Sequence, residues 1–142
     1  MGFFSKFLDK GLHGAIKQGD VEKVTELLAS GSKPDEKRID MSALMVAADV
    51  ANREIVGILL QKGARVNDAN SEGKTALMFA SAGRGTSGED KEKRCLETVK
   101  LLMEHGAHVN ASGRRSQTAL AFAAGAGHNQ VKQLLIEHGA KE

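Results

Sequence analysis

Val99, Leu102 and Met103 fall at i, i+3 and i+4, the spacing that puts side chains on one face of a helix. Gly106 ends that run, because a residue without Cβ readily takes the left-handed conformation that closes a helix. Residues 110–116 are turn-forming, and Thr118 stands before the next apolar-periodic run as a candidate N-cap. The same succession of stripe, glycine stop, polar turn and cap recurs along the chain. The helix-stop glycines are Gly31, Gly63, Gly106 and Gly139, spaced 32, 43 and 33 residues apart. Leu12, Leu44, Leu77 and Leu120 open the first helix of each unit, at spacings of 32, 33 and 43. The pattern predicts a unit of about 33 residues built from a turn and two short helices, with about ten extra residues inserted in one interval.

The second helix of each unit has its own stripe. Asp20 caps the first, whose buried face is Val24, Leu27 and Leu28. Ile55, Val56, Leu59 and Leu60 form the second stripe, Cys95, Leu96 and the Val99 face the third, and Val131, Leu134, Leu135 and Ile136 the fourth. Residues 32–40 make a polar turn one residue shorter than the others, with Asp40 where the later turn has Gly73, so an irregular first hairpin is expected. In the insertion, Ser87 or Thr86 is expected to cap a lengthened helix, with Glu89 and Asp90 in its first turn, where the dipole favours acids. The remainder of residues 83–94 is expected to be a flexible loop. Two doublings of loop length cost only about 1 kcal/mol, so the stack tolerates it. At the N-terminus Phe3, Phe4, Phe7, Leu8, Leu12, Ala15 and Ile16 follow helical spacing. They predict one amphipathic helix that caps the open end of the stack, or else anchors to a membrane surface or partner.

Four segments, LHGA at 12–15, SALMVAA at 42–48, TALMFAS at 75–81 and TALAFAA at 118–124, resemble the T-P-L-H-x-A-A motif of the ankyrin repeat family. REIVGILLQKGARVN at 53–67 resembles its second helix and turn, and residues 66–73 resemble V-N-A-x-D-x-x-G, with Asn70 at the Asp position. Ala43, Ala76 and Ala119 replace the motif proline, which removes a residue with φ fixed for the first helical position. The resemblance implies an all-α ankyrin-repeat solenoid of antiparallel helix pairs joined by β-turn or hairpin loops, with an N-terminal helical cap extension. The chain would be one domain over residues 1–142, with repeats at about 11–35, 36–68, 69–110 (insertion near 83–94) and 111–142. The end after Gly139 would form the C-terminal cap.

The family binds proteins through its turn tips and the exposed side of its first helices, without catalysis. Carried over by position, the expected partner-binding residues are Arg38, Ile39, Met41, Asp49 and Val50 in the second repeat. Ser71, Glu72, Lys74 and Arg84 follow in the third, and Arg114, Arg115 and Gln117 in the fourth. These are turn residues without core duty; Ile39 and Met41 would be apolar anchors, and Arg114 and Arg115 could fork onto acidic groups. The chain would be an adaptor or inhibitor of one partner. A membrane-tethered adaptor using the phenylalanine-rich N-terminus is the alternative, and a nucleotide- or metal-dependent enzyme a lesser one.

Composition narrows these classes. The formal charge is +2, near balance, so no nucleic-acid footprint is expected. Five Phe are the only aromatics, and Cys95 is the single cysteine, expected as a small core hydrophobe; an internal disulfide framework is excluded. No apolar run approaches the ~20 residues of a membrane-spanning helix, and no signal-length apolar segment opens the chain, so a cytoplasmic monomer is expected. Gly83-x-Gly85-x-x-Gly88 matches a dinucleotide fingerprint only formally, since that motif must follow a strand; Glu89 and Asp90 stand where a phosphate-binding loop needs Lys and Ser or Thr. His105 and His138 occupy equivalent positions with His108 nearby, but a metal needs three or four convergent ligands; His13 and His128 fall at motif histidines and are expected to be structural. No metal or cofactor is expected. Leu102→Ala should cost about 2–5 kcal/mol in a denaturant melt if the stripe assignment is right, and a loss below about 0.5 kcal/mol would show that the face is wrong.

Overall fold

The computed structural model describes residues 11–141. The first helices are short, and the last three are alanine-rich: α1 (Leu12–Lys17), α3 (Ala43–Asp49), α5 (Ala76–Ala82) and α7 (Ala119–Ala126). The second helices are α2 (Val21–Ala29), α4 (Arg53–Gln61), α6 (Lys91–Glu104) and α8 (Asn129–Glu137). The four first helices pack side by side in one layer, the four second helices in another, and each element touches mainly its own partner and the adjacent pair. This is the architecture of an α-solenoid, whose apolar faces are buried only by stacking.

Why these segments pack so closely follows from side-chain size. Ala47, Ala48, Ala80 and Ala123 are fully buried, so first-helix backbones approach without intervening bulk. Leu12, Leu44, Leu77 and Leu120 all enter one continuous core together with Ile55, Leu59, Leu102 and Leu135 from the second layer. The helix-stop glycines have φ of 111°, 99°, 88° and 95° in chain order, the left-handed region expected of them. Ser42 Oγ caps α3 through Met45 N–H at 3.1 Å, and Thr118 Oγ1 caps α7 through Ala121 N–H at 3.2 Å. Asp20 Oδ1 caps α2 through Lys23 N–H at 3.0 Å.

Several expectations are corrected. The first hairpin is regular: β1 (Lys37–Arg38) pairs antiparallel with β2 (Met41–Ser42), Arg38 facing Met41 across a two-residue turn. Ile39 and Asp40 have φ of 50° and 61°, positive at both central positions as in a type I′ turn. Leu27, Leu28 and Leu134 are only half-buried and Ile136 is 45% exposed, so within the fourth stripe only Val131 and Leu135 are fully buried. α1 does not extend through Gly11, an extended residue (φ −95°, ψ −175°) at its N-cap position, so the expected single helix does not run unbroken into α1. Phe3, Phe4, Phe7 and Leu8 lie outside the described residues. The lengthened α6 has 14 residues, against nine in each other second helix, yet it starts at Lys91. Glu89 and Asp90 therefore precede its first turn, and neither Ser87 nor Thr86 caps it.

The pairs are stitched by a periodic side-chain staple. Asn67 Oδ1 accepts from His108 N–H at 2.8 Å while its Nδ2 donates to Gly106 O at 3.0 Å. One unit later, Asn110 Oδ1 accepts from Lys141 N–H and its Nδ2 donates to Gly139 O, both at 2.9 Å. At the first joint Asp35 Oδ1 accepts from Arg65 N–H at 2.9 Å, and Oδ2 lies 3.5 Å from Arg65 Nε. A carboxylate cannot donate, so this joint has the acceptor half of the staple plus an ion pair. Replacing Asn67 by Ala should cost about 1–3 kcal/mol in a urea melt, since two backbone groups lose their partners, and Asn67→Asp should cost less; equal losses would show that the acceptor half carries nothing.

Candidate functional site

The turns and first helices line one side of the stack. Three tips are equivalent by position: Ile39-Asp40, Glu72-Gly73 and Arg115-Ser116. Only the middle one has the glycine that a left-handed turn favours; Gly73 has φ of 75°, while Arg115 and Ser116 have 63° and 57°. The tips hold one another. Asp40 Oδ1 accepts from Ser71 N–H at 2.9 Å and Oδ2 from Ser71 Oγ, and Glu72 O accepts from Arg114 N–H at 2.8 Å. A Cβ on Gly73 would lie 2.9 Å from Gly113 Cα, so these two tips meet backbone to backbone. Ser71 is thus committed to the stack rather than free. Its hydrogen bonds hold the Asp40 carboxyl below its ordinary pKa.

Below the first tip lies a groove of about 600 Å³. Its walls are His13 and Lys17 of α1, then Arg38, Ile39 and Met41 of the hairpin. Val46 and Asp49 of α3, with Val50 after it, form the floor, and Gly85 of the insertion closes the far side. Five of the expected site residues meet here: Arg38, Ile39, Met41, Asp49 and Val50. His13 Nε2 donates to Met41 O at 2.8 Å, which fixes the hairpin on α1 and leaves Nδ1 as the acceptor, without a partner among the described residues.

Phe122 of α7 marks a second hollow. Lys74 Nζ lies 5.6 Å and Arg84 Cζ 5.8 Å from its ring centroid, within cation–π reach. Beyond the ring, Lys91 and Gln117 join Arg84 around a space of about 330 Å³. Lys74, Arg84 and Gln117 are thereby brought together. Ser71, Glu72, Arg114 and Arg115 remain at the tips and line neither hollow. Phe79 lines a small cleft with Lys74, Arg84 and Phe122, and it, Lys17, Lys91 and Phe122 were not among the expected residues. A signal existed for the two rings: TALMFAS and TALAFAA each carry Phe four residues after the Thr at the helix N-cap position, in a run otherwise of small or buried residues.

The insertion is held in place, contrary to the flexible loop expected. Gly85 N–H donates to Asp49 O at 3.0 Å, and a Cβ on Gly85 would lie 2.6 Å from Asp49 Oδ2. Arg94 Nη2 donates to Thr86 Oγ1 at 2.7 Å and to Ser87 O. At Gly83, with φ of 57°, a Cβ would overlap Cys95 Sγ, so the loop folds down onto that buried thiol. The added turns of α6 also reach the next pair, where Glu92 Oε2 accepts from Gln130 N–H at 2.8 Å and caps α8. Gly83, Gly85 and Gly88 follow a helix, not the strand a dinucleotide fingerprint requires. Among the described residues no three His, Cys, Asp or Glu side chains converge as a metal would require. His105 and His138 each turn Nδ1 to the carbonyl four residues back, at 3.0 and 2.9 Å. His128 Nδ1 donates to Ser81 O at 2.8 Å, a buried structural role.

Comparison with known proteins agrees with this architecture. A family model described as ankyrin repeats (3 copies) matches residues 12–112, and one described as ankyrin repeats (many copies) matches residues 91–136. The chain is 38% identical over 128 residues to ankyrin repeat, SAM and basic leucine zipper domain-containing protein 1 of Dasypus novemcinctus, covering 89% of this chain and 26% of that protein. The Ornithorhynchus anatinus protein of the same name is 37% identical over 131 residues, covering 92% and 26%. An ankyrin repeat-containing protein of Treponema pallidum (strain Nichols) is 40% identical over 68 residues, covering 46% and 23%. The chain therefore spans about a quarter of the length of the relatives it matches.

Asp49 is the electrostatic centre of the groove. Burial between α3 and Gly85 pushes its carboxyl above the ordinary value, outweighing the Gly85 hydrogen bond and the attraction of Arg84, Lys17 and Lys91. The folded chain then binds this proton more readily than the unfolded one, so stability from Asp49 is lost as pH rises from the ordinary carboxylate value through the raised one. Asp49→Asn should consequently be more stable than wild type at neutral pH, with the advantage shrinking on acidification; thermal melts of both chains that differ by a constant amount from about pH 4 to 7 would show a fully solvated carboxylate.

Proposed function

This chain belongs to the ankyrin repeat family, and we propose that it is a non-catalytic module that binds one protein partner along the face running from Ile39 to Phe122. Ankyrin repeats are protein–protein interaction modules, and among the described residues no helix is long and apolar enough to cross a membrane. In this reading the four helix pairs are four repeats, with the insertion lodged in the third. The partner would sit on Arg38, Ile39, Met41, Asp49 and Val50 at one end and on Lys74, Arg84 and Gln117 at the other. Ser71, Glu72, Arg114 and Arg115 would form the rim. A face of this size suits an adaptor or an inhibitor with a single partner at a time. A single cysteine with no disulfide to form within the chain is consistent with a cytoplasmic setting.

One observation carries this reading. Ile39 is 93% exposed and sits at a φ of 50°. Left-handed backbone costs an ordinary residue about 1–2 kcal/mol, and β-branching makes it worse. Asn or Gly would serve the turn better, and water would favour a polar side chain. Strain of this kind collects at binding sites, where the surroundings hold a residue for use by something else.

Ile39→Asn separates stability from binding. The variant should be more stable than wild type by about 1 kcal/mol in a thermal or urea melt. In affinity capture from a lysate of the source cells, it should lose the partner that wild type retains. Arg114→Glu/Arg115→Glu should weaken the same partner less, because rim charges act mainly on association rate. Capture of the same proteins by wild type and Ile39→Asn would overturn the groove as the binding site.

A further inference from the structure

Charge is sorted between the two sides of the stack. Among the described residues, Lys17, Arg38, Lys74, Arg84 and Lys91 stand around the two concave hollows, with Asp49 as the only acid. The whole chain is only +2, so everything outside this lining carries a net −2. The groove on the opposite side, between α4 and α6, has Glu54, Glu97 and Glu104 against Arg53 and Lys100, and Arg53 is already paired with Glu97 at 3.2 Å. Of the five concave cations only Lys74 has an acidic partner among the described residues, Glu72 at 3.7 Å. The chemistry also changes along the face. The α1–α3 end sets an apolar surface of Ile39, Met41, Val46 and Val50 among Lys17, Arg38 and Asp49, while the α5–α7 end gathers Arg84, Lys91 and Lys74 about Phe122.

We infer that the partner enters this face as an acidic peptide segment with one large apolar residue. The apolar side chain seats against Ile39 and Val50, and the carboxylates meet Arg84 and Lys91. This deepens the binding-module reading and rests on it. Unpaired guanidinium and ammonium groups on a low-charge protein are complementary to carboxylates, and they supply both specificity and faster encounter. A nucleic acid fits less well. Stacking requires a bare aromatic face, whereas Phe122 already has two cations against it, and half of the surface is apolar.

The test is selection of random peptides of about 12 residues, displayed on phage, against the full chain, with counter-selection on Ile39→Asn. Enriched peptides should place Asp or Glu beside an aliphatic or aromatic residue. Their Kd should rise about tenfold or more with Arg84→Glu/Lys91→Glu, and rise with added salt. Circular dichroism checks the fold, and Arg84→Gln/Lys91→Gln is measured in place of the reversal if that variant unfolds. Neutral or basic peptides that still depend on Ile39 would overturn the acidic partner while leaving the binding module standing. No peptide that distinguishes wild type from Ile39→Asn would overturn both. Displacement of the selected peptides by random-sequence single-stranded DNA at a similar concentration would assign the face to nucleic acid and overturn the proposal.

Discussion

No helix pair in this chain can bury its own apolar face, and everything else follows from how one pair is fastened to the next. Close contact of alanine-lined first helices supplies the attraction, but alanine surfaces slide easily. The Asn67 and Asn110 amides fix the register, each bridging two backbone groups of the following pair. Hydrogen bonds to backbone specify position in a way that apolar contact does not. His13 and His128 serve the same end within the layer of first helices, tying Met41 O and Ser81 O across neighbouring units. The groove is a product of that fixed stacking, because its walls come from α1, the hairpin, α3 and the insertion together.

Against this framework, the proposed binding face stands out for what it leaves unsatisfied. Ile39 is strained and exposed, Asp49 is half-buried next to cations it does not fully use, and Lys17, Arg84 and Lys91 have no acidic partner among the described residues. Strain, exposed apolar surface and unpaired cations coincide along this face, while most glycine stops and second-helix stripes elsewhere follow local rules. That contrast is what a working surface set on a scaffold would leave, and it supports the proposed face.

The scaffold was legible in the sequence because its causes are local and periodic. Glycine stops, capping Ser, Thr and Asp, and one-face stripes each act within a few residues, and their repetition gives the architecture. The misreadings have a common origin in contacts between residues far apart in the chain. The first hairpin looked irregular because Asp40 replaces glycine, yet strand pairing and the Ser71 hydrogen bonds from the next tip hold it in the left-handed region. The insertion looked loose because its tie to the first helices, Gly85 N–H on Asp49 O, belongs to the backbone and leaves no trace in side-chain patterning, while the Arg94 bonds to Thr86 and Ser87 have no periodic signature. Ile136 kept its place in the stripe by spacing, but a stripe is buried only where a neighbour covers it. Within the site, the apolar half was readable from Ile39, Met41 and Val50. Phe122 and Lys91 needed the fold to bring α7 and α6 to the same hollow.

The packing of Gly83 onto Cys95 gives the molecule a built-in reporter. This is the chain's only thiol; it is fully buried, and burial also raises its pKa, which suppresses the reactive thiolate. Alkylation must therefore wait for an opening that uncovers the sulfur, and the lifting of the loop at Gly83 is the most local one. With opening fast and labelling slow, the observed rate measures how often the insertion is detached, on the unmodified chain and at a single atom. Anything that docks across the insertion would slow that clock without touching the sulfur.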